Sequence, residues 1–135
     1  MLFLLDTNAL SDFMQGSVPI NARLAQLTPA DVAVTCSIVL GEIEFGIRRL
    51  PPGKRRDRIA ESAVRSLPLF KCLPVPEEAA ARYATARFDT KQRGFNLNDN
   101  DLWIAATALA LGAVLVTRDG DFSRVGGLTI QDWTA

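Results

Sequence analysis

The 135-residue chain contains no histidine. That absence removes Ser-His-Asp and Cys-His nucleophilic catalysis, histidine-ligated zinc and the paired-histidine route to phosphodiester cleavage. Any catalyst here works with carboxylates, hydroxyls and basic side chains. Carboxylate oxygens suit hard cations such as Mg²⁺ or Mn²⁺. Cysteine is nearly as scarce. Cys36 and Cys72 both lie in apolar, strand-like stretches, too few for a disulfide framework or a soft-metal site, and they read as small buried hydrophobes. No apolar run approaches the length of a membrane span, and residues 1–6 lack the charged start and cleavage site of a signal peptide. The expectation is a cytoplasmic protein that does not enter a membrane. Internal repeats, low-complexity segments and linkers are also missing, so residues 1–135 read as one domain, and 48% apolar residues are enough for a core.

What is present alternates. Residues 2–6 form a short apolar run that ends on Asp6, and a helical stretch follows to Phe13. A helix is expected over Ile20–Leu27, halted by Thr28-Pro29. VAVTC, 32–36, is a strand. Ser37 is placed to cap a helix over Ile38–Leu50, stopped by Pro51-Pro52-Gly53. Lys54–Leu67 is a basic amphipathic helix. FKCLPV, 70–75, is a strand with a proline suited to a sheet edge. Pro76 opens a helix to about Arg93, ended by Gly94. Asn98 or Asp99 caps a helix through Leu111, closed by Gly112. AVLVT, 113–117, and LTIQDW, 128–133, complete the strands. Strands alternating with helices imply an α/β fold with a parallel sheet covered on both faces. Ligands of such sheets bind beyond the strands' carboxyl ends, where strand order reverses. Asp6 and the residues after Thr117 emerge at that edge.

Each acid there has an ordinary reading beside a functional one. Asp6 can cap the following helix, yet a carboxylate driven into the core with no basic neighbour is costly unless something cationic meets it. On the helix over 38–50, Glu44 can pair with Arg48 at i,i+4 on a solvent face. Glu42 falls between Ile38, Val39 and Phe45 on the inward side and is the candidate. In NDND, 98–101, Asn98 and Asp101 have capping spacing. Asp101 also shares a face with Ala105 and Ala108, small residues that let the helix approach the sheet, whereas Asp99 sits with Trp103 further out. Asp119-Gly120 is a good turn pair, and Asp119 also stands at the sheet edge beside Asp6, with Asp121 as its alternate. Four carboxylates at one edge repel one another unless cations are bound. Clustered acids without histidine are what a two-metal phosphodiesterase requires.

Net charge is zero, but residues 48–93 hold twelve Lys and Arg against five Asp and Glu, leaving the remainder equally acidic. The ordinary reading is a solvated helix face. The sharper one is a basic rim for a polyanion, with Lys54, Arg55 and Arg56, helped by Lys91, Arg93 or Arg118, contacting phosphates. Two other α/β chemistries fail on single residues. A haloacid-dehalogenase-type phosphatase needs a second aspartate where Asn8 stands. A phosphoacceptor receiver needs a late lysine, and the last one here is Lys91.

LLDTN at the start, GEIEFGI at 41–47, NDLWIAATALALGAVLVTRDGDF at 100–122 and the closing RVGGLTIQDW together resemble the PIN-domain ribonucleases, and more narrowly the VapC toxins of type II toxin–antitoxin pairs. The resemblance spans essentially the whole chain, with little signal in 51–95. It implies a three-layer α/β/α fold whose central parallel sheet has about five strands in the order 3-2-1-4-5. It further implies a Mg²⁺- or Mn²⁺-dependent endoribonuclease with its acidic quartet at Asp6, Glu42, Asp101 and Asp119. Asn8 falls on the family's orienting asparagine and Thr117 on a site-lining polar position. The implied partners are a VapB-type antitoxin, whose carboxyl-terminal arm covers the site, and a second copy of the chain. The implied substrate is tRNA, including initiator tRNA. The rival expectation is a non-catalytic PIN-like module that binds RNA or protein.

Overall fold

The computed structural model describes all of residues 1–135. Its centre is a five-stranded sheet of order β3-β2-β1-β4-β5, parallel throughout, between layers of helix. β1 (Leu2–Leu5) is central because its run of large apolar residues can be buried on both faces: Leu4 and Leu5 are wholly inaccessible. Phe3 lies between Ala33 of β2 (Val32–Cys36) and Val114 of β4 (Val114–Val116). β3 (Lys71–Leu73) and β5 (Ile130–Gln131) form the edges. The expected order is the observed one.

Six helices connect the strands: α1 (Thr7–Met14), α2 (Val18–Ala25), α3 (Ser37–Arg48), α4 (Lys54–Ser66), α5 (Ala79–Gln92) and α6 (Asp99–Leu111). Their limits follow local chemistry. Ser17 caps α2, accepting from the Ile20 amide at 3.4 Å, with Pro19 in the first turn. This starts the helix two residues before the expected Ile20. Gly112 ends α6 in the left-handed conformation, φ 64°, which a residue with a side chain adopts only at a cost. α6 is apolar almost all round, and Leu102, Ile104, Ala105, Ala106 and Ala108 are buried. Beyond β5, Trp133 packs on Phe3 with ring centroids 5.3 Å apart and closes that end of the core.

Several expectations are corrected. Ser37 does not cap α3. Cys36 occupies the cap position without a side-chain bond, and Ser37 is already helical. Pro76 does not open α5. Residues 76–78 form a turn in which the Ala79 amide donates to the Pro76 carbonyl, and the helix begins at Ala79. β3 is shorter than residues 70–75, and β5 keeps only two residues of 128–133. Cys36 is buried, but Cys72 is exposed on β3, the short edge strand, as is Lys71 beside it. No helix is long and apolar enough to cross a membrane.

Candidate active site

β1 is flanked by β2 on one side and β4 on the other, so connections leave its carboxyl end in opposite directions. That is the switch point at which parallel sheets bind ligands. Asp6, the residue after β1, is 3% exposed. It caps the next helix as the ordinary reading expects. Its Oδ1 accepts from the Ala9 amide at 2.8 Å as the cap of α1, and its own amide donates to the Val116 carbonyl at 3.0 Å. Burial pushes its pKa up. The Thr117 hydroxyl and Ala9 amide pull the other way, the Asp119 charge adds to the rise, and Arg118 opposes it.

Glu42 projects from α3 toward α1. The Thr7 hydroxyl donates to its Oε1 at 2.5 Å, and the Asn100 amide approaches its Oε2 at 3.4 Å. Glu44 is exposed, as the helical wheel requires, but it forms no ion pair with Arg48. Phe45, expected on the inward side, is 64% exposed, so the face carrying Glu42 borders the core only in part.

Asn98 caps α6, accepting from the Asn100 amide at 2.9 Å. Asp101 does not return that bond. It turns toward the other acids, and its pKa is pushed up to about 6, chiefly by burial and then by the charges of Asp119, Glu42, Asp6 and Asp121. Asp99 lies outward, accepting from the Tyr83 hydroxyl and facing Arg87 at 3.8 Å. After β4, the Thr117 hydroxyl accepts from the Asp119 amide at 3.0 Å, and Asp119 Oδ1 caps a 3₁₀ turn over Gly120–Arg124 by accepting from the Asp121 amide. Asp121 is exposed and faces Arg124 at 3.6 Å.

A cleft of about 230 Å³ is lined by Asp6, Thr7, Asn8, Glu42, Asn98, Asp101, Ile104 and Asp119. The structure therefore brings Asp6, Asn8, Glu42, Asp101 and Asp119 together and sets Thr117 directly behind Asp6, while Asp121 stays outside. Thr7 and Asn98 were not among the residues anticipated for the cleft wall. A threonine immediately after the acid, in the first turn of the helix that acid caps, was the available signal. Of the basic residues, Arg55 faces a neighbouring groove, Lys54 is exposed and Arg56 half-buried. Arg118 points to Asp12, with Nε 2.9 Å from the carboxylate.

No lysine or arginine lines the acidic cleft. Asp101 is driven toward its neutral form, as happens when like charges meet in a partly desolvated space without a counter-ion. No three of the carboxylates stand close enough to grip one ion directly. The carboxylate, hydroxyl and amide oxygens of this wall fit a hard divalent cation that keeps part of its water and binds through one or two carboxylates, the habit of Mg²⁺.

An open parallel sheet that collects acids at its switch point, with no histidine, defines a class of carboxylate-lined α/β folds, and comparison with known proteins places the chain in one family of it. The family model described as PIN domain matches residues 3–128. Ribonuclease VapC1 of Haemophilus influenzae (strain R2866) is 33% identical over 99% of each chain. The solved VapBC-1 of nontypeable Haemophilus influenzae superposes with a TM-score of 0.83 at 31% identity, covering all of both chains. VapBC2 of Rickettsia felis, solved bound to a DNA fragment from its promoter, shares the fold with a TM-score of 0.89 at 24% identity over 98% and 99% of the two chains. The chain belongs to the PIN-domain family, in its VapC toxin branch.

Proposed function

We propose that residues 1–135 act as one PIN-domain endoribonuclease, the toxin of a type II toxin–antitoxin pair, working in the cytoplasm. Asp6, Glu42, Asp101 and Asp119 are its metal-binding and catalytic acids, and Mg²⁺ or Mn²⁺ is its cofactor. The observation that carries this reading is the cleft walled by these four carboxylates and no cation, with Asp101 pushed up to about 6. The ions, when bound, would supply an activated water and stabilise the leaving oxygen of an in-line displacement.

The chain's own residues do the positioning. Asp6 is held by the end of a buried strand and by the Ala9 amide, so its free oxygen has little room to wander. Thr7 and Asn100 fix the Glu42 carboxylate from two sides. The Asp119 backbone is held through Thr117, and Asn8 lines the cleft as an orienting amide. Arg118, released from Asp12, stands at the rim to meet a phosphate, and Lys54, Arg55 and Arg56 extend that basic reach.

The proposed substrate is tRNA, including initiator tRNA. The proposed partners are a VapB-type antitoxin and a second copy of the chain in a hetero-oligomer, supported by relatives solved as VapBC assemblies. The test is incubation of the purified chain with tRNA in Mg²⁺, Mn²⁺ or chelator, followed by sequencing of the new RNA ends. Metal-dependent cleavage at defined positions is expected. Binding without cleavage in any metal would favour the non-catalytic RNA- or protein-binding module, a reading supported by the absence of three acids at direct ligand spacing.

A further inference from the structure

The acidic cleft has no cation in its wall, yet one stands next to it in the chain. Arg118 follows Thr117, which lies behind Asp6, and precedes Asp119, which lines the cleft. It is close enough that its charge acts on the Asp6 carboxyl. The guanidinium nevertheless stays outside. Its Nε donates to Asp12 Oδ2 of α1 at 2.9 Å, and Asp12 is its only ion-pair partner. Asp132, beyond β5, adds a second negative charge near the guanidinium. Its own carboxylate is already occupied by the Thr134 amide and hydroxyl, at 2.8 and 2.6 Å. The grip on Arg118 is therefore that of Asp12.

We propose that Asp12 is a positioning residue that holds Arg118 out of the cleft, so that the acids stay open to a metal ion. The proposal rests on the metal-dependent reading of the cleft. A guanidinium and a divalent cation compete for the same carboxylates. Arginine matches a carboxylate with a planar, two-pronged fork and does not lose its charge. Joined directly to Asp119, it meets the acids at an effective concentration in the millimolar range or above. It also avoids the dehydration that Mg²⁺ resists. Left free, Arg118 would fill the site that the ion requires. Asp12 offers it a carboxylate of the same chemistry outside the cleft wall. The side chains of Arg118 and Asp12 are 49% and 23% exposed, and an ion pair so open to water adds little to folding. Stability alone does not account for joining α1 to the segment after β4 in this way. The same bond leaves the terminal nitrogens of Arg118 without a protein partner, free to meet a phosphate once the ion is in place.

The test is Mn²⁺ affinity measured by calorimetry on the purified full chain, without RNA, in a double-variant cycle. Asp12→Asn is expected to weaken Mn²⁺ binding by about tenfold, a coupling of ordinary size for residues in contact. Arg118→Gln is expected to bind Mn²⁺ at least as tightly as wild type. Adding Asp12→Asn to Arg118→Gln is expected to cause no further loss, because no guanidinium is left to enter the cleft. Asp12→Glu, which can still hold Arg118, is expected to keep wild-type affinity. Asp12→Ser provides a second neutral form, and thermal melts in chelator check that each variant folds. Equal weakening by Asp12→Asn with and without Arg118 would reveal a plain field effect of the lost charge and overturn the proposal. Mn²⁺ affinity unchanged by Asp12→Asn would overturn it too, while leaving the metal reading intact. A wild-type chain that binds no Mn²⁺ would overturn the metal reading itself, and the proposal with it.

Discussion

Asp6 serves two purposes with one carboxylate, and a single substitution separates them. Asparagine caps a helix as well as aspartate does, so Asp6→Asn keeps the bond from Ala9 and removes the charge. Cleavage is expected to fall by about 10²-fold or more, the scale of losing one preorganised electrostatic group. Tm in chelator is expected to rise, because burial disfavours the ionised form. A cleavage assay and a thermal melt on the same preparation check both. Glu42→Gln is expected to be inactive and Glu44→Gln nearly normal. The reverse result would place the wrong face of α3 in the site. Asp101 supplies a pH signature. Its folded pKa is raised from 3.8 to about 6, so between those values the folded protein binds more protons than the unfolded chain. That contribution to stability is therefore full below 3.8 and is lost as pH rises through about 6. Urea midpoints in chelator across this window are expected to decline more steeply for wild type than for Asp101→Asn. The sequence marked Glu42 over Glu44 through helical phase alone. It could not mark Thr7 or Asn98 as wall residues, because one is a neighbour of the acid and the other a capping residue by ordinary rules, and spacing says nothing about where a short polar side chain turns.

The elements were legible where one local signal dominates. β1 and β4 are unbroken apolar runs, β2 is apolar but for Thr35, and α6 begins at an asparagine cap and ends at glycine. Misplaced ends occur where tertiary packing decides. The turn over residues 76–78 delays α5 despite a proline suited to open it, and the edge strands keep only the residues their single neighbour can pair. At Gly112, φ 64° makes a definite demand. No neighbouring atom obstructs a Cβ there, so Gly112→Ala isolates the backbone cost of the left-handed conformation, about 1–2 kcal/mol, read as a lower urea midpoint at unchanged m-value. α4 tests whether its charge works as a block or by residue. Neutralising Lys54, Arg55 and Arg56 together is expected to weaken RNA binding and flatten its salt dependence with metal affinity intact. Only Arg55 faces the groove, so Lys54→Gln with Arg56→Gln alone is expected to change the slope by less than Arg55→Gln does. Equal changes would mean that α4 acts as a diffuse field.

At the scale of the whole molecule, the division of charge along the sequence becomes a division in space. The cleft at the strands' carboxyl edge gathers acids with no lysine or arginine in its wall, while the unpaired guanidiniums of Arg49 and Arg55 lie across the boundary in the adjoining groove. Self-repulsion at that edge is a standing cost to the fold. Any cation that binds there both relieves it and stabilises by mass action, so wild-type Tm is expected to climb with Mn²⁺. The gain is RT ln(1 + [L]/Kd), about 2.7 kcal/mol at a hundredfold excess over Kd. For a chain of this size each kcal/mol corresponds to several degrees, on the order of 3–5 °C. Removing two of the charges changes both ends of that comparison. Asp6→Asn combined with Asp101→Asn is expected to melt higher than wild type in chelator, because the repulsion is partly gone. It is expected to gain little with Mn²⁺, because the ligands are gone. The two melting curves should therefore cross as metal is added, wild type below at first and above at saturation. Curves that rise in parallel would show that the metal stabilises the fold from somewhere other than this cleft, and would remove the cleft's claim to it.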